Sequence, residues 1–267
     1  MADPSDAFVL PRTGHTLRNR SVLAAMTNKQ SHDDGTLSDE EIHWLTMRAQ
    51  GGFGIVTTAA ANVTETGRGW DGEMGVWGDH QLPGLTTMAT ELRSHGAVSL
   101  VQLFHGGMRA PQRINGVQPV SASINTEAGM EGSTRELTSD EVHGIVEDFA
   151  QAAARCELAG FDGVELHGAH SYLICQFLGK KPTAELTNGV ALMMHENGSY
   201  GPSSMQYGPS PRLIFWCLYE FPLSLKRWGL NSRTASVLLK IWLPLMSMAS
   251  IFHVGMSSNR SMMTTRG

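Results

Sequence analysis

Three cysteines, at positions 156, 175 and 217, are too few and too scattered for a disulfide framework or a zinc pattern, and they fit a reducing compartment. Basic residues are not in excess. With 20 Lys+Arg against 25 Asp+Glu the net charge is −5, which supplies no electrostatic footprint for nucleic acid. No stretch reaches the roughly 18 apolar residues that span a membrane. The opening MADPSDAF lacks the basic and apolar regions of a secretory leader. No Gly-x-Gly-x-x-Gly follows the first apolar run, so a Rossmann nucleotide site has no support. These absences lead to the expectation of a cytoplasmic protein without nucleic-acid or membrane partners.

One scarcity is regional. Residues 1–178 hold 11 Lys+Arg and 22 Asp+Glu, whereas residues 179–267 hold 9 and 3, with no Asp at all. The same tail carries 8 of the 15 Met and 12 Ser. Asp is a common surface, turn and capping residue, so its absence over 89 residues sets the tail apart.

Up to residue 178 the pattern alternates. Arg20–Met26 is an apolar run suited to a buried strand, with Thr27 as its polar exit. Ser38-x-x-Glu41 is a capping box that opens a helix ended by Gly51-Gly52. Phe53–Thr58 follows as a strand, Leu82–His95 as a helix and Ala97–Leu103 as a strand. A second capping box, Thr138-x-x-Glu141, precedes a helix whose apolar face carries Val142, Ile145, Val146, Phe149, Ala153 and Cys156. Gly160 closes it, and Phe161–Leu166 is the fourth strand. Strand–helix alternation with buried strands means an α/β fold with a parallel sheet. Thr27, Gln102 and His167 sit at or near strand C-terminal ends, where (β/α)8 barrels place their chemistry, and a barrel is favoured over an open sheet. Asp33, Asp34, Asp39, Glu40 and Glu41 read as a solvated loop and helix start.

Just past the fourth strand, His167 and His170 stand three apart, followed by Tyr172. One reading is a metal site of a barrel hydrolase, with His105 as the obvious further ligand. The other is a clamp in which imidazole N–H groups hold a substrate oxygen that gains negative charge, while the Tyr172 phenol supplies a proton. Gln102 ends the third strand with an amide that can donate and accept together, which suits the edge of a planar heterocycle. His105 and Arg109 serve equally well as loop residues.

Three motifs together resemble the Old Yellow Enzyme family of NADH:flavin oxidoreductases. They are Asn19-Arg20-x-Val22-x-Ala24-Ala25-Met26-Thr27, Gln102-Leu103-x-His105-x-Gly107, and His167-Gly168-Ala169-His170-Ser171-Tyr172-Leu173 with Gln176-Phe177-Leu178. The likeness covers residues 5–178, although Ala25 replaces the family's usual Pro and Met108 interrupts its H-x-G-R spacing. The resemblance implies a TIM barrel, FMN as cofactor, NADPH or NADH as hydride donor, and a small activated alkene as substrate. It places Ala25, Met26, Thr27, Ala60, Gln102 and His167 at the flavin. It gives His167 and His170 the substrate oxygen and Tyr172 the proton, with no metal. A homo-oligomer is compatible with it.

After Leu178 the family's SPxxNRRTDEWGGSxENR gives way to Gly179-Lys180-Lys181-Pro182. Codons built from the last base of one residue and the first two of the next are able to spell the family pattern. Residues 182–191 can then encode NRRTDEWGG, residues 213–224 DFLVSVRVSPE, and residues 248–256 GVDISRWD. The expectation is an N-terminal half-barrel of about four βα units over residues 1–178, followed by an out-of-frame tail over 179–267 with no domain of its own. The flavin-contacting Arg of the fifth strand and the phosphate site of the last two units, both implied by the resemblance, are then missing. The apolar runs Leu213–Leu225 and Ile241–Phe252 become exposed aggregation hazards.

Overall fold

The computed structural model describes residues 3–11, 14–126 and 132–177, together with the backbone of 214–216. All of them fall within the first of two units, Met1–Glu220. The remaining tail readings lie outside the described residues.

A short hairpin, β1 (Phe8–Val9) and β2 (Thr16–Leu17), precedes the repeating part. Then come β3 (Val22–Leu23), α1 (Asp39–Gln50), β4 (Ile55–Asn62), α2 (Leu82–Ser94) and β5 (Val98–Phe104). A loop excursion carries α3 (Gln112–Asn115) and the small parallel pair β6 (Val120–Ser121) and β7 (Arg135–Glu136). The chain returns through α4 (Ser139–Ala159) to β8 (Gly163–Leu166), and α5 (Leu173–Phe177) follows. The last described strand is β9 (Ile214–Trp216).

The main sheet runs β3-β4-β5-β8-β9, and every pairing in it is parallel. Helices α1, α2 and α4 pack side by side, α1 on α2 and α2 on α4. Leu45, Ala49, Leu85, Met88, Leu92, Phe149 and Cys156 bury the seam between them and the sheet. These are the expected βα units, with neighbouring strands in sequential order and parallel, as in a parallel barrel. Caps start the helices as the sequence indicates. Ser38 Oγ accepts the Glu41 N–H at 3.1 Å. Thr138 and Glu141 form a reciprocal capping box, and Gly160, at φ 98°, ends α4 in the left-handed conformation.

The N-terminal ends of the strands are plugged. Leu10 and Leu17 of the hairpin region pack with Ile55, Val98 and Leu100. Arg18 binds the chain ends there, donating to Phe53 O (2.6 and 3.1 Å), Ala49 O (2.5 Å) and His95 O (2.5 Å). It thereby adds a charged donor to carbonyls at and just beyond the C-terminal ends of α1 and α2.

Several expectations need correction. The first strand is only two residues long in the ladder, because Ala24–Met26 leave it after Leu23 pairs with Val56. β4 extends four residues beyond Thr58, and all eight of its residues are buried. A register shift between Thr57 and Ala60 lengthens it. Glu41 is not solvated but fully buried. It accepts hydrogen bonds from Asn28 Nδ2 (2.9 Å) and Ser31 Oγ, tying the segment after Thr27 to α1. Finally, Ile214–Trp216, within the apolar run of the tail, pairs in parallel with Gly163–Glu165 through its backbone. An Ile-Phe-Trp triplet has the β-propensity to satisfy the open edge of β8.

Candidate active site

The candidate site lies at the C-terminal ends of β4, β5 and β8. Register aligns Ala60 with Gln102 and Gln102 with Glu165, giving a row of three across neighbouring strands. Gln102 Nε2 donates to Glu165 Oε1. Glu165 Oε2 is buried without a partner in the described structure. Burial raises the Glu165 pKa, and the Gln102 amide pulls it partly back.

One residue beyond β8, the His167 N–H donates to Leu103 O at 2.9 Å, which seats the ring beside Phe104. The Ala169 N–H donates to His167 Nδ1 at 3.2 Å. The neutral ring therefore carries its proton on Nε2, which lies 3.1 Å from His170 Nδ1. Nε2–H of His167 donates to His170 Nδ1, and the proton of a neutral His170 is left on its own Nε2, the outer end of the pair. The two imidazoles are thus hydrogen-bonded in series. Burial, reinforced by neighbouring His170, pushes the His167 pKa down to about 4.

Tyr172 completes the group, its ring 4.9 Å from those of both His167 and Phe104. Burial raises its phenol pKa; the Arg109 guanidinium, 5.5 Å over the ring, opposes this, and Glu73 adds a smaller upward push. Trp70 stacks on Phe104 at 5.3 Å and extends the aromatic wall. His167, His170, Tyr172, Phe104 and Arg109 are therefore one cluster.

The other residues singled out in the sequence are placed unevenly. Ala60 and Gln102 border the cluster through the strand row. Ala25, Met26 and Thr27 follow β3; Ala25 is half-buried, Met26 is 44% exposed and Thr27 is exposed. They belong to the segment that Glu41 anchors. His105 is buried, with Nδ1 accepting the Gly107 N–H at 3.0 Å, and burial lowers its pKa to about 4. It does not join the histidine pair, and among the described residues no group of three or more His, Cys, Asp or Glu could hold a metal ion.

Sequence reasoning missed Glu73. This residue is buried, accepts the Gly69 and Trp70 N–H groups at 2.6 and 3.2 Å through Oε2, and leaves Oε1 without a partner. Burial raises its pKa well above the ordinary value. The Gly-rich stretch around it has no periodicity, so no signal marked it. Glu41 did carry one, since positions 41, 45 and 49 recur at helical spacing and share the buried stripe.

The model of the NADH:flavin oxidoreductase / NADH oxidase family matches residues 12–184. The Bacillus subtilis protein named "Probable NADH-dependent flavin oxidoreductase YqiG" is 38% identical over 170 residues, covering 64% of this chain and 45% of the relative. An NADPH dehydrogenase of Clostridium acetobutylicum is 36% identical over 162 residues, covering 61% and 47%. The structure of morphinone reductase with tetrahydroNAD superposes with a TM-score of 0.65 at 26% identity, covering 80% of this chain and 63% of that one. The chain spans about half the length of these curated relatives. Among the described residues, no helix is long and apolar enough to cross a membrane. With the alternating βα units and the strand-end cluster, the match over residues 12–184 shows that the chain belongs to the NADH:flavin oxidoreductase / NADH oxidase family, the Old Yellow Enzyme group.

Proposed function

We propose that this chain carries the substrate-activating half of an FMN-dependent NAD(P)H oxidoreductase of the ene-reductase type. The observation that carries this reading is the series-bonded His167–His170 pair beside Tyr172 at the end of β8. The residues present fit a flavin edge. Ala60 contributes a small side chain and close backbone, Gln102 keeps its carbonyl and one amide hydrogen for a heterocycle, and Ala25, Met26 and Thr27 offer an accessible surface. The chemistry FMN supplies when bound is hydride acceptance from NADH or NADPH and hydride delivery to an alkene carbon.

The chain's own groups supply the rest. The outward Nε2–H of His170 hydrogen-bonds the oxygen of an enone-like substrate and stabilises the negative charge that builds there. His167, kept neutral by burial, fixes the His170 ring through its Nε2–H. The Tyr172 phenol, kept protonated by burial, gives a proton to the alkene carbon that does not receive the hydride. Hydride and proton together balance as addition of H₂ across the double bond.

For this exact chain we propose impairment. The family match stops at residue 184, where the Asp-free tail has begun, and a shifted frame can encode family motifs beyond that point. Weak FMN retention and poor solubility are expected, and a non-enzymatic fragment is the second reading. A chain translated in the shifted frame after Leu178, supplied with FMN and NADPH or NADH, is expected to oxidise the nucleotide when 2-cyclohexenone is added. No enone-dependent oxidation with either nucleotide would refute the reaction assignment. Reading both DNA strands across codons 170–195 tests the frame itself: a one-base discrepancy supports it, and a confirmed present frame supports the fragment.

A further inference from the structure

The turn that presents His170 is strained. His170 and Ser171 both take positive φ, 56° and 57°, although neither is glycine. Tyr172 N–H donates to Ala169 O at 3.1 Å across them. Two consecutive left-handed residues make a tight turn normally reserved for glycine or asparagine, so the surrounding structure has to hold it.

Both carbonyls of the strained residues are gripped by side chains. Arg109 Nη1 donates to His170 O at 2.8 Å. Gln176 Nε2 donates to Ser171 O at 2.6 Å and to Gly106 O at 3.4 Å, while its Oε1 accepts the Met108 N–H at 3.1 Å. Gln176, on α5, therefore joins the turn after β8 to the loop after β5. Gly107 keeps the space open: a Cβ there would stand 2.5 Å from the Gln176 amide, and its φ is 58°. Neither Gln176 nor Arg109 reaches the reacting atoms through these bonds. Their shared object is the backbone that aims the His170 ring.

We propose that Gln176 and Arg109 are positioning residues, a two-sided clasp that holds the left-handed His170–Ser171 turn and so fixes the orientation of the His170 N–H. The inference rests on the proposed function for its catalytic meaning, but its test needs neither flavin nor substrate. In the full chain labelled with ¹⁵N-histidine, two-bond ¹H–¹⁵N imidazole spectra read each tautomer. His167 and His170 are both expected as Nε2–H forms. Gln176→Glu retains an acceptor for Met108 N–H but loses the donor to Ser171 O, and Arg109→Ala frees His170 O. Each is expected to turn the single His170 tautomer into an averaged one, while His105, bonded within its own loop, stays Nε2–H as the fold control. Gln176→Ala is expected to do the same, and adding Ser171→Gly, which removes the strain at that position, is expected to restore the single tautomer. An unchanged His170 spectrum in Gln176→Glu and Arg109→Ala would overturn the clasp, and so would failure of Ser171→Gly to rescue Gln176→Ala. A wrong reaction assignment would leave all these spectra as expected and fail only the enone assay.

Discussion

The two ends of the sheet are built on opposite terms. At the N-terminal ends, Arg18 donates to three carbonyls, and Leu10, Leu17, Ile55, Val98 and Leu100 pack into an apolar plug. At the C-terminal ends, Glu73 and Glu165 each leave a buried oxygen unpartnered, two histidines are held far below their ordinary pKa, and three non-glycine residues, Lys29, His170 and Ser171, sit in the left-handed region. Stability is concentrated at one end and strain at the other. That is the division of labour barrel enzymes show between their two faces, and strained, under-satisfied groups cluster where chemistry is prepared.

Substitutions at the two ends should therefore have different consequences. The largest effect belongs to the strained end. In a chain translated in the shifted frame after Leu178, Tyr172→Phe should lower enone turnover by about 10³-fold, the scale of a lost general acid. Its urea midpoint should stay within the range of ordinary surface changes. A large drop in stability with activity retained would reverse the assignment of that end.

The pH dependence should follow the same division. His105 has an ordinary pKa of 6.5 that burial lowers to about 4. The unfolded chain takes up a proton below ~6.5 that the folded chain refuses until about 4, so this contribution is intact above ~6.5 and is lost as pH falls. The loss amounts to about 3 kcal/mol across that window, at 1.36 kcal/mol per unit. Glu41, Glu73 and Glu165 oppose it, since their raised pKa values favour the folded state at lower pH. Comparing urea unfolding of the present chain and His105→Gln at about pH 7 and pH 4.5 isolates the histidine. The acid loss should shrink in the variant, and an identical pH slope would contradict the assignment.

At the satisfied end, Arg18→Ala should destabilise by about 2 kcal/mol, because carbonyls at two helix ends lose charge-assisted partners. The histidine spectra at the other end should remain unchanged. Thr138→Ala, away from both ends, should cost only about 1 kcal/mol through the lost cap of α4. Thermal or urea unfolding measures both, and a Thr138 effect larger than that of Arg18 would break the comparison.

Much of this was legible in the residues. Both helix caps, the stop at Gly160 and the order of the strands follow from capping and periodicity, which are local signals. The histidine–tyrosine cluster was legible because its members lie within six residues just past one strand. What escaped depends on contacts distant in sequence. Arg18 reaches His95 across 77 positions, Gln176 reaches Met108 across 68, and neither leaves a local pattern. Tertiary packing also decides which hydrophilic residues are buried, and so Glu41 and Glu73 looked solvated or unremarkable. The series arrangement of His167 and His170 needed the Ala169 N–H, a backbone group that sequence spacing does not aim.

In the proposed reading, residues up to 177 hold the catalytic end of a flavoenzyme whose remaining half is written in another frame. Flavin content tests it most directly. The present chain and the chain translated in the shifted frame after Leu178 are each mixed with excess FMN, desalted, and assayed for retained flavin by absorbance. Little or no flavin is expected on the present chain and close to one FMN per chain on the other. Stoichiometric flavin on the present chain, or none on the restored one, would contradict it.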